Sequence, residues 1–96
     1  MKTVAHLAHS LLVKAHIIAH SVALTWVIST SPGVTTQQVY RYAGPCPTAT
    51  FTLIAAVGPT VSTYTDNGVT KLPYCYEVVA VAPTGTAASN QAEATK

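Results

Sequence analysis

From Ser21 onward the chain is cut by turn-forming clusters too closely spaced to leave room for a run of helices. Ser31-Pro32-Gly33, Gly44-Pro45-Cys46-Pro47, Gly58-Pro59, Asp66-Asn67-Gly68 and Pro83-Thr84-Gly85 divide it into short segments rich in Thr, Val, Tyr and Ala. Proline fixes its own φ and lacks a ladder donor, while Gly, Asn and Asp tolerate the dihedrals of tight turns. Between the clusters, Val22, Leu24 and Trp26 alternate with Ala23 and Thr25, the pattern of a strand with one buried face. Val39–Tyr42, Phe51–Val57, Val61–Thr65, Tyr74–Val81 and Ala87–Thr95 read as further strands. Closely spaced strands with no intervening helices predict an all-β sandwich or barrel.

The chain has 96 residues, the size of one small domain. Apolar residues make up 49% and charged ones 8%, which excludes a disordered tail and leaves solubility to Thr, Ser, Asn and Gln. A surface so poor in charge suits packing into a larger assembly. The formal charge of +2 comes from scattered residues rather than a basic stripe, so no nucleic-acid partner is expected.

Residues 1–20 are apolar but interrupted by His6, His9, Lys14, His16 and His20. They therefore read neither as a secretory signal nor as a membrane span, and no membrane insertion is expected. On a helical wheel Val4, Ala8, Leu11, Ala15, Ile18 and Val22 share one face and the four histidines another. Residues 12–18, rich in Val, Leu and Ile, also suit a strand, and periodicity leaves both readings open.

Little in the chain suggests catalysis. Its acids are Asp66, Glu77 and Glu93. Asp66 lies in a turn signal and the two glutamates on different strands, so no carboxylate pair is indicated for glycosidic chemistry. There is no nucleophile elbow and no glycine-rich phosphate loop. Neither an enzyme nor a cofactor is expected. His6 and His9, three apart, and His16 and His20, four apart, have spacings that could hold a metal on a helix. No Cys, Asp or Glu stands near them in sequence, and they read as polar residues on an exposed face rather than a metal site. Cys46 and Cys75 match no zinc, haem or redox spacing, leaving two buried thiols or a disulfide.

Six segments in order carry a resemblance to a family. HSVALTW at 20–26, STSPGV at 29–34, VYRY at 39–42, STYTDNGV at 62–69, YCYEVVAVAPTG at 74–85 and SNQAEAT at 89–95 resemble successive strands and turns of bacterial and phage fibronectin type III domains. The resemblance implies a seven-stranded antiparallel two-sheet sandwich over 11–96, with 1–10 as an N-terminal extension or arm. It turns residues 11–18 into the first strand. It also implies a core of Val22, Leu24, Trp26, Val39, Phe51, Ile54, Tyr64, Tyr74, Tyr76, Val78 and Ala80, and gives the Tyr74 hydroxyl a backbone partner near the adjacent turn. The connection from Val69 to Tyr74 is about a residue shorter than is usual in that family.

With Tyr74 and Tyr76 inward, Cys75 faces outward. In such domains the third and sixth strands are neighbours, so the resemblance implies a Cys46–Cys75 disulfide and an oxidising location. Closing a loop of about 29 residues would contribute about 3–4 kcal/mol in the chain-entropy model. Tyr40 and Tyr42 then stand on the outer face with Cys75, Glu77 and Val79 as a candidate contact surface. Val4 and Leu7, apolar and outside the strands, are candidates for contact with other subunits. The function expected on this basis is a non-catalytic accessory protein, a decoration or tail component of a phage virion or a similar extracellular assembly, with protein partners. The alternative is an adhesion or carbohydrate-binding module of a bacterial surface or secreted protein, with a cell-surface glycan as partner.

Overall fold

The structure is a computed structural model and describes residues 11–18, 21–28, 33–71 and 73–94. Eight strand segments follow one another: β1 (Leu11–Ile18), β2 (Ser21–Val27), β3 (Thr36–Tyr42), β4 (Thr52–Val57), β5 (Thr63–Asp66), β6 (Tyr74–Ala82), β7 (Gly85–Ala88) and β8 (Ala92–Ala94). They form two antiparallel sheets. One has the order β1-β2-β5; the other has the order β4-β3-β6-β7, with β8 also on β6. β7 and β8 both pair with β6, opposite Val79–Ala82 and Tyr74–Tyr76 respectively. They are two stretches of one edge, so the architecture is that of seven strands.

The break between β7 and β8 has a local cause. Ser89 Oγ accepts the Val78 N–H at 2.9 Å, and the Ser89 N–H donates to Val78 O at 2.7 Å. The serine side chain thus fills a ladder position that a regular strand would supply with a carbonyl, and no buried donor is orphaned.

Each sheet gives its inward residues to one core. Val22, Leu24 and Trp26 come from β2, Val39 from β3, Tyr74, Tyr76 and Val78 from β6, and Ala94 from β8. Val69 joins them from the β5–β6 connection. Ala80 is also fully buried. Ile54 and Tyr64 are half-buried against this cluster. Phe51, expected in the core, precedes β4 and is only half-buried. The register of β4 slips opposite Val39 and Tyr40, where Ile54 is the extra residue, and this bulge resets which side chains face inward.

Two buried polar groups tie the layers together. Trp26 Nε1 donates to Gln37 Oε1 at 2.8 Å, and Gln37 Nε2 donates to the carbonyls of Gly58 (3.0 Å) and Val61 (2.6 Å). At another point Asp66, on β5, accepts from Arg41 on β3 and Tyr76 on β6. The Asp66-Asn67-Gly68 bend does not rely on a left-handed glycine. Asp66 Oδ1 accepts the Gly68 N–H at 3.0 Å, an Asx turn, whereas Gly33 (φ 87°) does take the left-handed conformation. Tyr74 Oη accepts the Thr70 N–H at 3.4 Å, a backbone partner in the connection that leads into β6.

Candidate functional site

The outward face of the larger sheet gathers a row of aromatic and polar side chains. The register sets Gln38 beside Val79, Tyr40 beside Glu77 and Tyr42 beside Cys75. Across the other edge of β3, Gln38 faces Ala56 and Tyr40 faces Leu53. The bulge at Ile54 keeps Leu53 on this outer side, 49% exposed. Tyr40 and Tyr42 are both half-exposed, and Tyr40 Oη donates to Gln38 Oε1 at 2.8 Å.

One end of this face is covered by the β3–β4 connection. Cys46 and Cys75 are joined in a disulfide with a Cα–Cα distance of 5.2 Å, and Cys75 is fully buried beneath the connection. Three further bonds pin the same segment. The Cys46 N–H donates to Glu93 Oε1 (2.7 Å), the Thr48 N–H to Gln91 Oε1 (2.8 Å), and Gln91 Nε2 to Thr48 O (2.8 Å). Tyr42 leans on the start of the strap: a Cβ at position 44 would stand 2.5 Å from Tyr42 Cε2, so any other residue there would have to displace the tyrosine ring. The strap fixes Tyr42 and leaves Tyr40, Leu53, Glu77 and Gln38 as the open part of the platform.

Glu77 is the unusual member. Burial alone raises its pKa above the ordinary carboxylate value, and its carboxylate has no hydrogen-bond partner among the described residues. Asp66 is the opposite case. Burial pushes it upward, but hydrogen bonds from Tyr76, the Gly68 N–H and Arg41, with the Arg41 charge, outweigh burial and hold it below the usual range. Burial is also the largest single effect on Arg41 and lowers it, but the bond to Asp66, the Asp66 charge and the neighbouring Tyr76 and Tyr74 together outweigh it, so its pKa is raised. Tyr76 is pushed well above the ordinary phenol value by burial and by donating to Asp66. The saturated Asp66 cluster is structural: every oxygen that could act is already bonded.

The glutamates, on separate strands in sequence, are brought to one face. Glu93 lies opposite Cys75, two residues from Glu77, a diagonal neighbour at about 7–8 Å between cross-strand positions. Glu93 is committed to the Cys46 N–H. Among the described residues no group of three or more His, Cys, Asp or Glu could hold a metal ion. Val4, Leu7, His6, His9 and His20 lie outside the described residues, and for His16 only its backbone place in β1, opposite Ala23, is described.

No family model matches the chain, and no curated protein matches it. Solved structures do. A pectate lyase, PelI of Erwinia chrysanthemi, crystallised in complex with tetragalacturonic acid, matches with a TM-score of 0.78 at 24% identity, over 90% of this chain and 28% of that one. Pectate lyase Pel3 of Pectobacterium carotovorum matches with a TM-score of 0.77 at 24% identity, over 88% of this chain and 26% of that one. A beta-1,2-glucanase of Parabacteroides distasonis matches with a TM-score of 0.76 at 21% identity, over 95% of this chain and 13% of that one. The chain therefore has the fold of a segment found in these enzymes, and spans well under a third of each.

These matches correct the fibronectin type III assignment and the virion accessory reading built on it. The neighbours are parts of polysaccharide-active enzymes, not virion proteins. The six ordered segments misled for a physical reason. Alternating strands and Gly/Pro/Asn turns are what two packed antiparallel sheets demand of any sequence, so they report architecture and carry no mark of family or role.

Proposed function

We propose that this domain is a non-catalytic accessory module of a polysaccharide-active protein, working in an oxidising, extracellular setting and holding glycan against the outer face of the larger sheet of a β-sandwich. The observation that carries the reading is the recurrence of the fold as a minor segment of pectate lyase and glucanase chains. The platform supplies suitable chemistry. Tyrosine rings offer flat apolar area to the C–H faces of sugar rings, and Gln38 and Glu77 at their margin offer a donor and an acceptor to hydroxyls. The disulfide suits an oxidising environment and holds the strap that supports Tyr42.

The acids favour binding over catalysis. Asp66 is saturated and Glu93 accepts the Cys46 N–H, leaving Glu77 as a single uncommitted carboxylate among the described residues. The test is affinity electrophoresis of the purified domain through gels containing soluble glycans, alongside a reducing-end assay. Retardation that Tyr40→Ala and Leu53→Ala abolish, with no new reducing ends, supports the reading. Unretarded migration through every glycan, or glycan cleavage, would sink it.

A further inference from the structure

We infer that the Tyr40–Glu77 face takes an uncharged, hydroxyl-rich glycan and discriminates against polyuronates. The inference rests on the glycan-binding reading and adds the class of ligand to it.

Charge placement carries the argument. On the outer face of the larger sheet, the charged side chains among the described residues are Glu77 on β6 and Glu93 on β8, both acidic. The cation nearest in sequence, Arg41, lies between Tyr40 and Tyr42, and strand alternation turns it to the opposite side. There its guanidinium bonds both Asp66 oxygens, at 3.1 and 3.0 Å, and lies over the Tyr74 ring at 5.2 Å. Lys71 stands in the connection between β5 and β6, outside the strands that make up this face. Recognition of a polyuronate needs cations to pair with its regularly repeated carboxylates, ideally arginine forks. This face presents none among the described residues.

Glu77 adds a penalty to that lack. Its carboxylate is half-buried at the edge of the Tyr40 ring position and has no donor among the described residues. A uronate carboxylate laid on the platform would meet a like charge where solvent screening is weakened. A neutral sugar brings the reverse: its hydroxyls donate to Glu77, and charge-assisted hydrogen bonds are the stronger kind. The Gln38 amide is polarised for the same task, since its Oε1 is occupied by the Tyr40 hydroxyl and its Nε2 remains to donate. One aromatic platform, one acceptor and one donor form a set matched to a pyranose without a charge.

The experiment uses isothermal titration of the intact domain, at low ionic strength and neutral pH, against polygalacturonate and against neutral β-1,2-glucan, β-1,4-galactan and xyloglucan. At least one neutral glycan should bind about tenfold or more tightly than polygalacturonate. Glu77→Gln, near-isosteric and able to fold wherever the wild type does, should strengthen polygalacturonate binding several-fold, and Glu77→Lys should strengthen it further. Polygalacturonate binding as tightly as the best neutral glycan, or indifference of its affinity to both Glu77 variants, overturns the inference while leaving glycan binding intact. Failure of every glycan to bind overturns both.

Discussion

Tyr76 Oη donates to Asp66 Oδ2 across 2.7 Å, a bond between β6 of the larger sheet and β5 of the smaller one. Arg41 Nη1 reaches both oxygens of the same carboxylate from β3, with Asp66 almost fully buried and Arg41 partly so. One side chain thus joins three strands and both sheets, at the point where β5 bends into the connection to β6.

Asp66→Asn is expected to cost about 3 kcal/mol, the low end for breaking a buried pair because Arg41 keeps some access to water. The pH dependence follows from the depressed pKa of Asp66. Its stabilisation is fully present above the unfolded-state value of about 3.9 and is lost as pH falls through the lower folded value. Urea titrations should therefore show a wide gap between wild type and variant at pH 7, narrowing progressively below pH 4. A gap that is constant with pH would mean that the carboxylate charge is not what stabilises.

Trp26→Ala is expected to cost about 3–5 kcal/mol through the cavity it opens between the sheets. Trp26→Phe separates volume from hydrogen bonding. It keeps most of the packing but leaves Gln37 Oε1 without its indole donor, at about 1–3 kcal/mol. Equilibrium denaturation of both variants checks the ordering, which fails if Phe costs as much as Ala.

The strands were legible where alternation was clean. Val22, Leu24, Trp26, Val39, Tyr74, Tyr76 and Val78 are all buried, because a sheet with one wet face writes its burial pattern into the sequence at period two. Gln37, Asp66 and Ser89 were not recognisable as buried, since a polar residue earns a core place only through partners distant in sequence: Gly58 and Val61 for Gln37, Arg41 and Tyr76 for Asp66, Val78 for Ser89. The bulge at Ile54 has no sequence mark, so the loss of Phe51 from the core could not be read in advance. Tyr40 and Tyr42 were visible as an outward pair. What Glu77 lacks became visible only once the strands were registered. Family was the least legible property, because turn and strand signals are shared by unrelated chains.

Removing the Cys46–Cys75 bond should destabilise the domain by about 3–4 kcal/mol, as expected for a closed loop of 29 residues. Intact mass should rise by two hydrogens on reduction. The paired Cys46→Ser, Cys75→Ser variant should also loosen the strap, read as faster exchange of the backbone amides at positions 46 and 48, which donate to Glu93 and Gln91. Unchanged exchange there would mean that the side-chain bonds alone hold the strap.

Glu77 is expected to respond to pH in the sense opposite to Asp66. Its pKa is raised by burial, so the folded state resists its ionisation. The cost is absent below the unfolded-state value of about 4.3, grows as pH rises from there, and is complete above the raised folded value. Glu77→Gln removes the charge while keeping the shape. It should therefore match the wild type in stability near pH 4 and exceed it at pH 7, where the wild type alone carries a half-buried carboxylate with no partner among the described residues. Chemical denaturation of both proteins across that range decides the matter. A variant less stable than wild type at pH 7 would mean that Glu77 has an ionic partner, which would also undercut its availability to a ligand.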